Sequence, residues 1–304
     1  MRNLDRTEGA CAPAGAVQPL TRRDLNGAPG FYGWENADIP AARPIYPGIS
    51  TPVSLYYALR RVWCAETCAP RMRGDWSPEN PTLGQCSVTA FLAQDVFGGR
   101  VFGIPLKDGG FHCYNVVEGR AFDLTSEQFG SEKLAYEGNP EQYREVHFAK
   151  EEKRLRYELL RKRLMEAQKA CCPVYLDIDV ICEEALQVSG ADMDAVMIPF
   201  SGTADSAFFS GRIIGPGVDT QQIRKDGTLR LSARYMLEGT DRDGRACRIF
   251  VENQGSWSDG FVPRIITDSE SLAFLETAPL CAVIDGTEKG VRVRVFPREW
   301  PGTL

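Results

Sequence analysis

The stretch Ala170-Cys171-Cys172-Pro173-Val174-Tyr175-Leu176-Asp177-Ile178-Asp179-Val180 divides the chain. Before it, Leu155, Leu159, Leu160 and Leu164 recur at helical spacing, which predicts a charged helix over 150–170 with one apolar side. After Pro173 the period becomes two: Val174, Leu176, Ile178 and Val180 alternate with Tyr175, Asp177 and Asp179. The same alternation returns at Leu229, Leu231, Ala233, Tyr235 and Leu237, and again at Val291, Val293 and Val295. Strand side chains point alternately to opposite faces, so these runs are strands with one buried face. Glycine turns separate them, and Asp226-Gly227 is a hairpin turn. Many short strands joined by glycine turns predict an antiparallel sandwich or barrel over 173–300.

Upstream the reading is α+β. A helix is expected over 51–66 from Leu55, Leu59 and Val62, with Tyr56 and Trp63 beside them. A second, buried helix starts at Cys86 and ends at Gly98-Gly99. Strands follow at 100–105, 110–117 and 120–125, with Glu118-Gly119 as a two-residue hairpin turn. Residues 1–50 are rich in Gly, Pro and Ala and read as an irregular arm, packed on the first domain from Phe31 to Pro47, with 1–20 disordered. The expected organisation is an arm over 1–50, an α+β domain over 51–170 and an all-β domain over 173–300.

A length of 304 residues fits two domains at ~150 residues each. The 35 Lys and Arg against 41 Asp and Glu give a net charge of −6, a poor electrostatic match for nucleic acid or an anionic membrane. The densest basic run, Lys150-Glu-Glu-Lys-Arg-Leu-Arg156, is interleaved with acids and reads as a solvated helix face. No stretch approaches the ~20 apolar residues of a membrane span. The segment Met1 to Cys11 lacks the apolar core of a signal peptide, which also argues against lipidation at Cys11, and a cytoplasmic location is expected. The ten cysteines are then reduced thiols, mostly buried. Cys64 and Cys68 have no second pair at zinc spacing, and the chain holds two histidines, so neither a metal nor a cofactor is expected.

That scarcity restricts the chemistry. Any mechanism that needs an imidazole uses His112 or His147. Gly84-Gln-Cys-Ser-Val-Thr-Ala90 places Cys86 at a loop-to-helix junction, where unpaired N–H groups and the helix dipole favour thiolate. His112 lies on the first strand of the expected hairpin and Asp123 on the second. With a two-residue turn, Val117 faces Arg120 and Tyr114 faces Asp123, which makes position 123 a diagonal neighbour of 112 on the same face. A carboxylate there fixes the tautomer of the imidazole and supports the imidazolium. A buried cysteine without reactivity is the plainer reading of Cys86. Asn80 and Gln85 compete as oxyanion donors beside the Cys86 N–H, and Asn80-Pro81 equally shapes a turn. His147, in Glu145-Val-His-Phe148, reads as a partly exposed histidine with no role in the site.

Trp76-Ser-Pro-Glu-Asn-Pro81, Gly84 to Ala90, Gln94-Asp-Val-Phe-Gly-Gly99, His112-Cys-Tyr-Asn115 and Phe122-Asp-Leu-Thr-Ser-Glu-Gln-Phe129 occur in an order that resembles the YunG family of small bacterial proteins. The resemblance runs from Leu55 to Leu164 and implies no substrate. The order Cys, His, Asp on helix and hairpin also resembles the core of papain-like and transglutaminase-like enzymes, although 26 residues from Cys86 to His112 is short for papain relatives. Downstream, Gly202 to Arg212, Gly215 to Gln222, Arg224 to Thr228, Ala233 to Leu237 and Ile249 to Gly255 resemble the uncharacterised small β-barrel family DUF3237. That resemblance implies a lipocalin-like or allene-oxide-cyclase-like barrel and carries over Arg212, Asp219, Gln222, Asp226, Arg234, Tyr235 and Asn253 as motif residues. A barrel of this kind holds a small ligand at its mouth, for which Arg212, Asp219, Arg234 and Asn253 are the candidates, an ion pair tying loops to strands being the plainer role.

The leading expectation is a papain/transglutaminase-like α+β domain with a Cys86–His112–Asp123 site for acyl transfer on a small-molecule or peptide-like substrate, followed by a ligand-binding antiparallel β-barrel. Two alternatives stand beside it: a non-catalytic ligand- or partner-binding protein, and cyclase- or isomerase-type chemistry inside the barrel.

Overall fold

A computed structural model describes residues 30–107, 109–130 and 132–299 of the chain. The expectations for residues 1–20 and for Cys11 lie outside the described residues.

The first helix, α1 (Pro52–Arg60), starts where Thr51 and Ser54 form a reciprocal capping box and Pro52 takes the first helical position. It buries Leu55, Tyr56 and Leu59. The second, α2 (Cys86–Phe97), is almost wholly buried and stops at Gly98, whose φ of 74° ends the helix. Four strands form the small sheet: β1 (Arg100–Pro105), β2 (Phe111–Val117), β3 (Arg120–Phe122) and β4 (Glu141–Gln142), in the order β3-β2-β1-β4. Helix α2 lies on β2, where Asn115 Nδ2 donates to the Ala90 carbonyl at 2.8 Å.

A short helix, α3 (Arg144–Phe148), leads into α4 (Glu151–Cys171). The buried side of α4 carries Tyr157, Leu160, Leu164 and Gln168. Leu155 is on the exposed side instead of the apolar side expected for it, because Arg156 takes the inward position next to it. Leu160 and Leu164 join Leu55, Leu59, Phe91, Leu92, Val101 and Phe122 in one core. The arm enters that core through Phe31, Ile39, Tyr46 and Ile49.

The C-terminal part is an antiparallel barrel. Its strands are β5 (Leu176–Cys182), β6 (Leu186–Ser189), β7 (Met193–Asp205), β8 (Phe209–Arg224), β9 (Leu229–Asp241), β10 (Ala246–Ser256), β11 (Gly260–Thr267), β12 (Leu280–Gly286) and β13 (Gly290–Pro297). From β7 to β13 each strand pairs with the next. β13 then pairs with β5 and β5 with the second half of β7, which closes eight strands, while β6 extends the first half of β7. Closure leaves the eight strands without a free edge between them. Inward residues alternate as the sequence pattern requires: Leu176, Ile178 and Val180 on β5, Tyr235 and Leu237 on β9, Ile249 and Val251 on β10. Leu272 and Leu275 of a 3-10 turn between β11 and β12 join them in the barrel core. The turn at Asp226-Gly227 is formed as expected, with Gly227 at φ 89° and the Thr228 N–H donating to Asp226.

The arm and the end of α4 join the two parts. The Gly48 N–H donates to the Pro297 carbonyl, Arg298 donates to the Ala41 carbonyl at 2.6 Å, and Arg43 pairs with Asp259 at 3.2 Å. Cys172, Cys281, Val283 and Phe296 pack with Met165 and Val174 at the junction. No helix among the described residues is long and apolar enough to cross a membrane.

Candidate active site and barrel cavity

Cys86 opens α2, and no side chain caps the helix. The N–H groups of its first turn therefore keep their donor capacity beside the thiol. The loop before it is fixed from below. Buried Arg156 donates from Nε to the Thr67 carbonyl and from Nη2 to the Gly84 carbonyl, at 3.0 and 3.1 Å, and pairs through Nη1 with Glu152 at 3.2 Å. Gly84 sits at φ +67°, and a Cβ there would lie 2.6 Å from the Cys68 sulfur, so only glycine fits the turn.

The hairpin supplies the partners in the expected register. Glu118 and Gly119 have φ of 51° and 79°, the two positive values that a tight two-residue turn needs. Val117 faces Arg120 and Asn115 faces Phe122. Just beyond β3, Asp123 reaches back so that Oδ2 lies 2.6 Å from His112 Nε2, with both side chains 1% exposed. Every acceptor position of this carboxylate is used. Oδ2 also accepts from the Tyr136 hydroxyl at 2.9 Å, and Oδ1 accepts from the N–H and hydroxyl of Thr125, both at 3.0 Å. The Asp123 N–H donates in turn to Tyr32 of the arm, whose ring stacks on Tyr136 at 3.6 Å.

With Nε2 committed to Asp123, Nδ1 is the ring nitrogen left for Cys86. The Gln128 amide approaches it at 3.5 Å, and Phe129 meets the ring edge-on. Burial pulls the His112 pKa down, but the Asp123 charge and hydrogen bond, reinforced by Cys86, outweigh it and raise it to about 10. Cys86 moves the other way. A hydrogen bond from the Cys113 thiol, and then the hydrogen bond and charge of His112, hold it well below the ordinary thiol range against the opposing effect of burial. Both shifts favour a thiolate beside an imidazolium. The cost falls on Cys113, whose pKa rises because its proton is held by Cys86 and because it is buried.

Cys113 follows His112 on β2, so strand alternation turns its side chain to the other face. The N-terminal end of α2 lies over that side, so Cys86 meets both residues. The two oxyanion candidates from sequence are placed elsewhere. Asn80 lies in the 77–80 turn, with its carbonyl oxygen accepting from Thr82, and is not among the residues that line the cleft. Gln85 is fully buried, and its amide nitrogen donates to the Cys64 carbonyl. Gln128, which sequence reasoning did not single out, lines the cleft instead. His147 is not partly exposed but buried, between Gln142 Oε1 at 3.0 Å and Lys153 Nζ at 3.2 Å, with Phe91 against its ring. Burial, then Lys153, lowers its pKa to about 4, so it is neutral.

Cys86, His112 and Gln128 face a cleft of about 720 Å³. Its apolar walls are Met72, Leu106, Phe111 and Phe129. The run expected to be a solvated helix face takes part in the cleft: Lys150 and Lys153 line it, and Arg156 is buried.

The barrel holds a second, smaller cavity of about 190 Å³. Val180, Phe200, Leu231, Phe261 and Val293 make it mainly apolar, with Asp219 and Asn253 in the lining. Among the described residues, the Tyr235 hydroxyl and Asn253 Oδ1 are buried there with no hydrogen-bond partner. Gly217 makes room for this arrangement, since a Cβ on it would fall 2.2 Å from the Phe200 ring. Arg212 and Arg234 are exposed on the outer face and do not join Asp219 and Asn253. The alternation explains this: Ile213 and Tyr235 point inward, so their neighbours point out.

Residues 51–169 match the family model of the YunG protein, and residues 174–270 match that of a protein of unknown function, DUF3237. The uncharacterized protein YunG of Bacillus subtilis (strain 168) is 40% identical over 73 residues, which are 24% of this chain and 58% of that protein. The match thus spans less than two thirds of this curated relative. Among solved structures, a protein with unknown function from Clostridium acetobutylicum is 20% identical, covering 41% of this chain and 93% of that one with a TM-score of 0.35. A β-barrel-like protein from Acinetobacter baumannii is 16% identical over 41% of this chain and 94% of that one, with a TM-score of 0.35. An enzyme from Penicillium herquei is 16% identical over 41% of this chain and 95% of that one, with a TM-score of 0.33.

Proposed function

We propose that the chain is a cysteine-dependent acyl-transfer enzyme of papain/transglutaminase-like mechanism, joined to a barrel that binds a small ligand. The observation that carries this reading is Cys86 at an uncapped helix start beside a buried His112 whose far nitrogen is 2.6 Å from Asp123. In the reaction, the Cys86 thiolate attacks an amide, ester or thioester carbonyl. The electron pair moves to the carbonyl oxygen, which the first-turn N–H groups of α2 stabilise. His112 then passes its Nδ1 proton to the leaving nitrogen, oxygen or sulfur, and a thioester remains on Cys86. Water or an amine attacks that thioester, His112 takes a proton from it, and the thiolate is released. Asp123 holds the ring throughout.

Alkylation of the native protein at pH 6 tests this reading. His112-dependent labelling of Cys86, lost in His112→Ala, is the expected result, beside labelling of the exposed Cys171, whose own pKa the Cys172 thiol lowers to about 6. Labelling of Cys86 that stays behind the exposed Cys182 and is unchanged in His112→Ala favours a non-catalytic binding protein.

The unpartnered Tyr235 hydroxyl and Asn253 carbonyl favour a second site of chemistry or binding in the barrel. A phenol and an amide facing an apolar cavity suit a small organic molecule with one polar group, and a phenol there can donate a proton in a cyclase- or isomerase-type step. Native mass spectrometry of the purified protein, read for a bound small molecule lost in Tyr235→Phe, tests that reading.

A further inference from the structure

The chain as a whole carries a net charge of −6, but the cleft at Cys86 does not share it. Lys150, Lys153, Arg71 and Arg156 line it, and Glu152 is the one carboxylate among the described lining residues. That carboxylate is already paired with Arg156, whose remaining nitrogens hold the loop before Cys86. Lys150 and Lys153 have no carboxylate within ion-pair distance among the described residues. Lys153 gives a hydrogen bond to the neutral His147, and an ammonium has three to give. Burial, the largest influence on it, lowers its pKa, so an anion placed beside it would be stabilised by a charge that the protein leaves poorly compensated. Met72, Leu106, Phe111 and Phe129 line the same cleft and supply its apolar surface.

We propose that the acyl group transferred at Cys86 is a short apolar chain that ends in an anion, a carboxylate or a phosphate, held by Lys150 and Lys153. This rests on the acyl-transfer reading of Cys86 and adds the class of substrate to it. The lysines, Cys86 and the apolar side chains line one cleft, so they can take the anion, the carbonyl and the chain of such a molecule. A neutral or cationic acyl group would leave both ammonium groups facing an apolar partner.

The test is the ratio of alkylation rates of Cys86 in the full-length protein by iodoacetate and by iodoacetamide, divided by the same ratio for free cysteine at the same pH and salt. His112 alone favours the anionic reagent, so the inference is read from the lysines. Lys150→Gln and Lys153→Gln are each expected to lower the ratio about two- to threefold, and 0.5 M salt to shrink the difference. Lys162→Gln, exposed further along α4, leaves the ratio unchanged. Lys150 is exposed, so its variant keeps the test open if Lys153→Gln does not fold. Protection of Cys86 from iodoacetamide by succinate assigns the anion as a carboxylate, and protection by inorganic phosphate assigns it as a phosphate. Selective labelling of Cys86 with a ratio that neither lysine variant moves, and with no protection by either anion, overturns this inference and leaves the acyl-transfer reading standing. Failure of both reagents to label Cys86 faster than the exposed Cys182 removes the acyl-transfer reading, and this one with it.

Discussion

His112 and Asp123 share a hydrogen bond of 2.6 Å across the β2–β3 hairpin, in a place where neither side chain reaches solvent. A buried imidazolium needs such a partner, because an unpaired charge there would give up its proton. Asp123→Asn keeps the shape and removes the charge. The expected result is a His112 pKa that falls from about 10 towards or below the ordinary 6.5, and Cys86 alkylation at pH 6 slowed by roughly 10- to 100-fold. Histidine NMR and the alkylation rate measure the two effects. An unchanged rate would mean that the charge of Asp123 does not reach the thiol.

The same pair predicts a pH window. The folded pKa of His112 lies above its value in the unfolded chain, so its stabilisation is complete below pH 6.5 and is lost as the pH rises through about 10. The folded pKa of Cys86 is depressed, so its contribution is present above the ordinary thiol value of about 8.5 and declines as the pH falls through its lowered value. Reactivity at Cys86 should therefore hold on a plateau through neutral pH and change again near pH 10, when the imidazolium loses its proton. A single rise near pH 8.5 would describe an ordinary thiol and no pair.

Cys113→Ala removes the largest influence that favours the Cys86 thiolate while leaving His112 in place. Alkylation at pH 6 is expected to slow several-fold without being abolished, with the lower limb of the plateau shifted upward. A rate identical to that of the native protein would show that the Cys113 thiol does not hydrogen-bond to Cys86 in solution.

In the barrel, the buried Tyr235 hydroxyl has no partner, and such a group costs about 1–3 kcal/mol. Tyr235→Phe should therefore leave the ligand-free melting temperature unchanged or raise it, while weakening uptake of a polar small molecule. Arg234→Met, on the outer face, should leave uptake as it was. Thermal unfolding and ligand titration of both variants separate a cavity that binds from one that is merely unfilled. A large fall in melting temperature for Tyr235→Phe would assign the hydroxyl to structure.

Much of this was written locally. The start of α2 at Cys86, the two-residue turn at Glu118-Gly119 and the period-two runs after Pro173 each depend on neighbours within a few residues, and each formed as its pattern requires. What escaped depended on contacts between distant segments. Arg156 looked like part of a solvated run because its partners, Thr67 and Gly84, are far away in sequence. His147 looked exposed because the ring that covers it, Phe91, comes from α2, far away in sequence, even though Gln142 and Lys153 are close by in the chain. Alternation turns the Cys113 side chain to the face opposite His112, but it does not say which element covers that face. Arg234 shows the converse: strict alternation with Tyr235 already places it outside, and the motif resemblance alone drew attention to it.

The arm runs from Tyr32, bridged to the backbone of Asp123, to Arg43 and Gly48, both tied to the barrel. It therefore works as a strap between the two parts. Its ties to Asp259 and Pro297 at one end and to Asp123 at the other give the barrel a second connection, beside the covalent joint at Cys172-Pro173, to the backbone of the carboxylate that orients His112. Any proteolytic cut that slackens the segment between Tyr32 and Gly48 would loosen both halves at once, although among the described residues they share no sheet.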